Sequence, residues 1–216
     1  MKLVKPLQQA QQKIELPEID YRIHTLCGEI TWESVGQAIT SIYDSYTTDH
    51  YEQLILVIFS PGGDTDAAWS LYTTLKNLGC KVDTLANGRL YSAGLIPFLA
   101  GARRFAFKES VFLFHPTTVN SVVEERPGYK IHEELVGDKM DSRIFKDTLL
   151  DAGITNKKDI AKLTHPSKSI FLTATAAKEI GLVTHIIDRI DCVSCDELIT
   201  TKICSHSCHK IQAILA

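Results

Sequence analysis

The sequence predicts a single, mostly parallel α/β domain, and three observations support this prediction. A chain of 216 residues with 44% hydrophobic residues can bury one core of ordinary size. Apolar runs typical of strands alternate with segments whose apolar residues recur at helical spacing. The run Leu54–Phe59 is continuously apolar, as expected for a strand buried on both faces. Because strands and helices alternate throughout, we expect a parallel sheet whose strands are connected by helices.

The N-terminal half is predicted to contain strands and helices in regular alternation. Residues 1–20 are polar and contain two prolines, so we expect a flexible arm there. Thr31 and Glu33 form a start signal for the first helix, and Gly79 forms a stop signal for the second. The expected strands are Tyr21–Gly28, Leu54–Phe59 and Val82–Ala86, and the expected helices are Thr31–Tyr46, Asp64–Leu78 and Ser92–Ala100.

The C-terminal half continues the alternation around one long helix with a charged outer face. Asn156 is a suitable N-cap for a short helix, and Gly181 ends another. The composition changes near Asp188, so we divide the chain into an arm (1–20), a main domain (21–188) and a Cys/His-rich tail (189–216). The expected strands are Arg104–Phe107, Val111–His115, Ile170–Thr173 and Leu182–Ile187, and the expected helices are Ile131–Leu150, Asn156–Leu163 and Ala174–Ile180.

Charge and hydropathy argue against nucleic-acid and membrane partners. The net charge is −3, from 23 basic and 26 acidic residues, and the basic residues are scattered along the chain. No stretch approaches the roughly 20 apolar residues that cross a bilayer. The first twenty residues lack the apolar run of a signal peptide. We therefore expect a cytoplasmic protein.

A serine, a double-glycine turn and a histidine occur in an order that is typical of a serine hydrolase. Ser92 begins an apolar helix, where its oxygen would lie among backbone N–H groups that the helix does not use. A serine hydroxyl is a weak nucleophile until a base takes its proton, and His115 at a strand end could be that base. The N–H of Ala93 and one from the turn at Gly62 and Gly63 could hold the charge that develops on an attacked carbonyl.

Each of these features taken alone also has a simpler structural explanation. The serine could be a helix cap, the glycine pair an ordinary strand-to-helix turn, and the histidine a core residue. Leu90 replaces the first glycine of the Gly-x-Ser-x-Gly elbow, which argues against an α/β-hydrolase. The joint occurrence of the three features in this order is what predicts a site.

These residues resemble the proteolytic subunit of the Clp protease, in the superfamily that also contains signal peptide peptidase A and the crotonases. The resemblance covers Tyr21 to Ile187 and implies a ClpP/crotonase-like spiral of ββα turns with a projecting handle helix, here Ile131–Leu150. The main domain would then be a Clp-protease-like catalytic domain. The motifs that carry the resemblance are Ser60-Pro61-Gly62-Gly63, Leu71-Tyr72, Tyr91-Ser92-Ala93-Gly94, Ala100-Gly101-Ala102, His115-Pro116, Phe171-Leu172-Thr173-Ala174 and Gly181-Leu182-Val183.

The resemblance also implies an activity and partners. Ser92 would be the nucleophile, His115 the base, and Gly63 and Ala93 the oxyanion donors of a serine endopeptidase that needs no cofactor for hydrolysis. The substrate would be a peptide or an unfolded protein. Copies of the chain would form stacked homo-oligomeric rings around a chamber, which a hexameric ATP-driven unfoldase of the AAA+ class would feed.

The chain departs from the family at the third position of the triad. The family has an aspartate two residues before its Phe-Leu-Ser/Thr motif, and this position is Ser169 here. A buried carboxylate holds the imidazole tautomer and stabilises its positive charge, and its loss costs about 10⁴-fold in other serine proteases. Asp151 and Asp159 are conceivable substitutes in other elements. Three outcomes stay open: a slow peptidase, a peptidase whose strand reorders on assembly, and a scaffold subunit that needs an active partner.

The six cysteines divide into two groups. Cys27 and Cys80 stand in apolar surroundings, and we expect buried thiols there. The other four form two close pairs in the tail, and two pairs of soft ligands suit tetrahedral zinc. The alternative is a tail with incidental cysteines. The four candidate zinc ligands are Cys192, Cys195, Cys204 and Cys208.

Three further classes compete with the Clp-type peptidase. A non-catalytic ring subunit is supported by the missing aspartate. A crotonase-like acyl-thioester enzyme would share the spiral core and hold an enolate with backbone donors, but it has no need of a Ser-His pair at these positions. A Ser-Lys peptidase akin to signal peptide peptidase A is disfavoured because His115 fills the position of the base and no membrane anchor is found.

Overall fold

The computed structural model describes residues 21–116, 128–192 and 211–215. Over these residues helices and strands alternate as predicted, so the α/β fold class is confirmed. The elements are β1 (Tyr21–Cys27), α1 (Trp32–Asp49), β2 (Gln53–Ser60), α2 (Thr65–Lys76), β3 (Lys81–Tyr91), a 3-10 turn (Ser92–Gly94), α3 (Leu95–Leu99), β4 (Arg104–Phe107), β5 (Val111–Phe114), α4 (Gly128–Asp151), α5 (Lys157–Leu163), β6 (Ile170–Thr173), α6 (Ala174–Glu179), β7 (His185–Cys192) and β8 (Ile211–Leu215).

The described strands form one sheet that is mostly parallel. Its main path runs in the order β1-β2-β3-β4-β7-β8, and β5 leaves this path to pair with β3 and β6. The pairs β1–β2, β2–β3, β3–β4, β3–β5 and β4–β7 are parallel, whereas β5–β6 and β7–β8 are antiparallel. The sheet therefore branches at β3, which is the strand that leads to Ser92.

The main core lies between the sheet and the helices α1, α2 and α3. Ile42, Leu71 and Phe98 from the three helices are fully buried with Leu54 and Leu56 of β2. Burial of one such side chain contributes roughly 1.5–3 kcal/mol. The opposite face of the sheet carries a smaller cluster, formed by Ile55, Leu85, Phe105 and Ile187.

Side-chain caps fix the starts of the helices. Thr31 and Ser34 form a capping box at the start of α1, because each side chain accepts a hydrogen bond from the other residue's backbone N–H. Asp64 caps α2 by accepting from the N–H of Ala67 at 2.8 Å. Asn156 caps α5 as the sequence predicts.

The long helix α4 spans Gly128–Asp151 and contains the predicted handle, Ile131–Leu150. Val136, Met140 and Ile144 are all more than 40% exposed. Near the C-terminal end of the helix, Leu149 is fully buried and Phe145 packs on Phe114. The helix is thus anchored to the core through its last turns.

Two predictions made near the strands need correction. The last strand of the main domain begins at His185 rather than Leu182, because the N–H of Val183 bonds to the carbonyl of Ala177 and completes the end of α6. Cys27 is exposed rather than buried, since it lies on the same face of β1 as Ile23, which is 41% exposed. β7 continues to Cys192, and the division of the chain at residue 188 stays a prediction.

Candidate active site

A break in β3 directs the end of this strand toward the candidate site. Thr84 to Ala86 pair with β4, whereas Arg89 to Tyr91 pair with β5. Gly88, with a φ of +85°, lies between the two halves. The buried Ser110 hydroxyl fixes the break: it donates to the Ala86 carbonyl at 2.9 Å and accepts from the N–H of Gly88 at 3.2 Å. The predicted strand Val82–Ala86 is therefore only the first half of β3.

Ser92 follows β3 directly and has an unusual backbone conformation. Its φ is +53°, a left-handed value that non-glycine residues rarely adopt. Among the described residues, His50 is the other non-glycine residue with positive φ, and it lies at the C-terminal end of α1, where this conformation is common. Strain in a residue between a strand and a helical turn is a feature of functional sites.

The glycine turn after β2 lies against Ser92. A Cβ atom added to Gly62 would be 2.6 Å from the Cβ of Ser92, so only glycine fits there without a shift. Gly62 accepts a hydrogen bond from the N–H of Ile30 and donates to the hydroxyl of Ser60 at 3.0 Å. The N–H of Asp64 bonds to the carbonyl of Ile30. Among the described residues the N–H of Gly63 has no acceptor.

The strand register places His115 at the same edge of the sheet as Ser92. Tyr91 pairs with Leu113 in the parallel β3–β5 ladder, so both strands end at this edge. Ser92 follows the last residue of β3, and His115 follows the last residue of β5. Neighbouring strands lie about 4.8 Å apart. In the part of the chain that the structure describes, no direct hydrogen bond joins Ser92 to His115.

The imidazole of His115 has a hydrogen-bond partner that the sequence did not predict. Its Nδ1 lies 2.7 Å from the main-chain oxygen of Pro116. A carbonyl oxygen can only accept, so Nδ1 donates in this contact. The side chain is partly buried.

Within the described residues Ser169 does not hold the histidine. In the antiparallel β5–β6 ladder Phe114 pairs with Ile170, and continuing this register by one residue brings Ser169 opposite His115. Ser169 is exposed. Neither Ser169 nor the candidate substitutes Asp151 and Asp159 hydrogen-bond to His115 within the described residues.

Another serine–histidine contact exists outside this site. The ring nitrogens of His24 lie 3.2 Å from the hydroxyl of Ser41 and 2.9 Å from that of Ser45. Burial, and then the nearby Arg22, lower the pKa of His24, so it favours the neutral form. Both serines lie inside α1, where the helix uses the backbone N–H groups, so this contact lacks donors for an oxyanion.

The four candidate zinc ligands lie at and after the end of β7 in the sequence. Cys195, Cys204 and Cys208 lie outside the described residues, and of Cys192 only its position at the end of β7 is described. No group of three or more His, Cys, Asp or Glu residues that could hold a metal ion occurs in the described segments. Nothing in that part of the chain supports the zinc prediction.

None of the helices in the described residues is both long and apolar enough to cross a membrane.

The fold and this edge of the sheet define an α/β protein with a strained serine beside a glycine turn. Comparison with known sequences gives the family: residues 9–190 match the family described as Clp protease, and the chain belongs to it.

Several curated proteins are similar to this chain over most of their length. The ATP-dependent Clp protease proteolytic subunit of Cyanophora paradoxa is 29% identical over 165 residues, which cover 75% of this chain and 80% of the relative. Proteolytic subunit 1 of Chlamydia abortus is 28% identical and covers 81% of this chain and 90% of the relative. Proteolytic subunit 2 of Treponema pallidum is 24% identical and covers 76% and 81%.

Proposed function

We propose that this chain is the peptidase subunit of an ATP-dependent Clp-type protease and that Ser92 is its nucleophile. The observation that carries the proposal is the strained backbone of Ser92, with φ at +53°, packed against the glycine turn. Backbone strain of this kind is concentrated at active sites and ligand-binding segments. The membership of the Clp protease family supports a serine peptidase.

In the proposed reaction, the Ser92 hydroxyl oxygen attacks the carbonyl carbon of a peptide bond while His115 takes its proton. The N–H groups of Gly63 and Ala93 hold the charged oxygen of the tetrahedral intermediate. The C–N bond breaks as His115 returns the proton to the leaving amine, and water then hydrolyses the acyl-enzyme in the same way. Hydrolysis by this route requires no metal or cofactor.

The proposed partners follow from the names of the relatives and from this sequence. The relatives are described as subunits of ATP-dependent proteases. The present sequence has no Gly-Lys dipeptide and hence no P-loop of the form Gly-x-x-x-x-Gly-Lys-Ser/Thr. We propose that a separate ATP-driven unfoldase delivers unfolded protein to a homo-oligomeric ring of this chain.

One observation favours a second candidate function, that of a ring subunit without activity of its own. Ser169 stands where the family has a carboxylate, and it is exposed and makes no hydrogen bond to His115 among the described residues. A subunit of this kind would hold active neighbours in a mixed ring. Labelling of Ser92 distinguishes the two functions.

A fluorophosphonate probe tests the proposal, because it reacts only with an activated serine. We expect the full-length protein to be labelled, Ser92→Ala to lose all labelling and His115→Gln to lose most of it. Ser167→Ala, at an exposed serine before β6, is the matched control and should be labelled normally. Absence of labelling in the wild-type protein, alone and with an active Clp-type subunit, would favour the scaffold function.

A further inference from the structure

We propose that the main-chain carbonyl of Pro116 takes over the orienting role of the absent carboxylate, by holding His115 in the tautomer whose Nε2 is free to accept a proton. This inference rests on the proposed function, since it concerns the base of the Ser92 site. It begins from the 2.7 Å contact between Nδ1 of His115 and the oxygen of Pro116.

The chemistry of the two atoms fixes the proton. A carbonyl oxygen has no hydrogen to donate, so the contact is attractive only when Nδ1 carries one. A neutral imidazole carries a single N–H, and its Nε2 then has a free lone pair. The triad carboxylate of serine proteases selects the same tautomer through the same ring nitrogen.

The surroundings of His115 explain why a backbone group can act here. Within the described residues Ser169 makes no hydrogen bond to His115, so the side chain at the third position that the resemblance implies does not occupy Nδ1. The ring of Pro116 restricts its φ to about −65°, and this limits the positions that its carbonyl can take. The carbonyl therefore serves as a positioning group for His115.

A carbonyl replaces only part of what a carboxylate does. It fixes the tautomer and the ring orientation, but it carries no net charge with which to stabilise the imidazolium ion. In other serine proteases the substitution of asparagine for the aspartate costs about 10⁴-fold because it selects the wrong tautomer. With the correct tautomer in place, this chain does not incur that loss of rate. It lacks only the stabilisation of the imidazolium ion by a charged hydrogen-bond acceptor, which is worth about 10- to 100-fold in rate.

Nitrogen NMR of the full-length protein with labelled histidine tests the tautomer directly. His115→Gln assigns the His115 signals, and the spectrum is recorded well above the ordinary histidine pKa, where neutral rings predominate. We expect His115 to be protonated on Nδ1. His165 is an internal reference for the opposite tautomer, since its Nδ1 accepts the N–H of Ser167 at 3.2 Å. A His115 ring protonated on Nε2 would overturn the inference.

Two variants test whether the Pro116 carbonyl, and not another group, sets the tautomer of His115. Pro116→Gly keeps the carbonyl but frees its backbone, and it should increase the Nε2-protonated fraction of His115. An unchanged ratio of the two His115 tautomers would count against the role of Pro116.

In Ser169→Asp the added carboxylate should raise the fluorophosphonate labelling rate by no more than about 100-fold, because the His115 tautomer is already correct. A gain of about 10⁴-fold would show that the tautomer was wrong before.

The prediction of the His115 tautomer and the prediction of Ser92 labelling can fail independently of each other. If Nδ1 of His115 is protonated but Ser92 is never labelled, the proposed function is wrong and the assignment of the tautomer stands. If Ser92 is labelled but Nε2 carries the proton, the peptidase stands and Pro116 does not orient its base.

Discussion

Ser92 is held in a conformation that a side chain disfavours. A left-handed backbone costs roughly 1–2 kcal/mol for a residue with a Cβ, and Ser92 adopts it with φ at +53°. The neighbours compensate for this cost, since Ala93 and Gly94 are buried and Gly62 lies against the serine. The left-handed conformation of Ser92 turns the chain from β3 into the helical segment at the residue that carries the hydroxyl.

Ser60 determines which amide of the glycine turn stays available. Its side chain is fully buried, and its hydroxyl accepts the N–H of Gly62 at 3.0 Å. With that donor occupied and both polar groups of Ile30 bonded to the turn, the unpaired donor of the described turn is the N–H of Gly63. Ser60 is thus a positioning residue for the proposed oxyanion site.

We predict that Ser60→Ala slows fluorophosphonate labelling of Ser92 by about tenfold. The loss should be smaller than the 10²–10³-fold that follows removal of an oxyanion donor itself, because Gly63 keeps its N–H. Thr148→Val is the matched control: it removes another buried hydroxyl, which donates to the carbonyl of Ile144 in α4. Both variants should lose about 1 kcal/mol of stability.

Labelling rates and urea unfolding of these two variants distinguish a loss of stability from a displaced Gly63 N–H. The control should keep its labelling rate within about twofold, since its lost hydrogen bond is of similar strength but lies in another element. Equal slowing in both variants would mean that the effect of Ser60→Ala is only loss of stability.

At the level of elements, the turns after β2 and β3 interlock through glycines. Gly62 of the first turn lies against Ser92, and Gly94 of the second lies against Ser60, where an added Cβ would be 3.0 Å from the Ser60 Cβ. The two strands are neighbours, with Ser60 paired to Leu90. Each glycine thus lies against the serine of the other turn, and because glycine has no side chain the two turns can approach each other closely.

Gly63 offers a sharp test of this arrangement. Its φ is +143°, and an added Cβ would be 2.2 Å from the carbonyl oxygen of Ile30, which is backbone and cannot move easily. We predict that Gly63→Ala lowers the free energy of unfolding by about 2 kcal/mol or more and abolishes labelling of Ser92. Urea unfolding and probe labelling of the full-length protein measure the two effects.

Gly36 is the matched control for Gly63. It lies inside α1, and no atom lies within 4 Å of an added Cβ. Gly36→Ala should therefore raise the free energy of unfolding by about 0.5–1 kcal/mol, because alanine favours the helix. If Gly63→Ala were as stable and as reactive as Gly36→Ala, the interlocked turns would not be needed.

The sequence predicts most elements but not the break in β3. Asn87 and Gly88 form a turn signal by composition, so the sequence predicts a strand that ends at Ala86. In the structure the chain continues in β3, and the hydroxyl of Ser110 bridges the break from a distant position. Local patterns cannot reveal such a bond, because its partners are far apart in sequence.

At the scale of the molecule, the alternation of strands and helices predicts a parallel sheet but not its branching. β5 pairs with the second half of β3 instead of extending the main path, and this pairing brings His115 to the edge where Ser92 lies. Residue types suggest the candidate site, and tertiary pairing determines its neighbours. The carbonyl of Pro116 could not be predicted at all, since every residue has one and only the fold selects which one contacts the ring.

Arg104 connects distant parts of the molecule around a buried charge. It is 4% exposed, and its guanidinium donates to the carbonyls of Gly101, Ala152, Gly181 and Leu182. Burial lowers its pKa, but an arginine stays protonated in proteins. No carboxylate contacts it in the described residues, so the carbonyl dipoles alone compensate the charge. The end of α4 and the turn after α6 are thereby tied to the start of β4.

We predict that Arg104→Met lowers the free energy of unfolding by at least about 3 kcal/mol, because four carbonyls lose their donor and each buried unsatisfied group costs about 1–3 kcal/mol. Arg143→Met is the matched control. Arg143 lies on α4, its side chain is 86% exposed, and its Nε lies 4.0 Å from Asp147, so its loss should cost no more than about 0.5 kcal/mol. Urea unfolding at one fixed protein concentration compares the two variants, since assembly itself would shift stability. Similar unfolding free energies for both would mean that Arg104 does not hold these segments together.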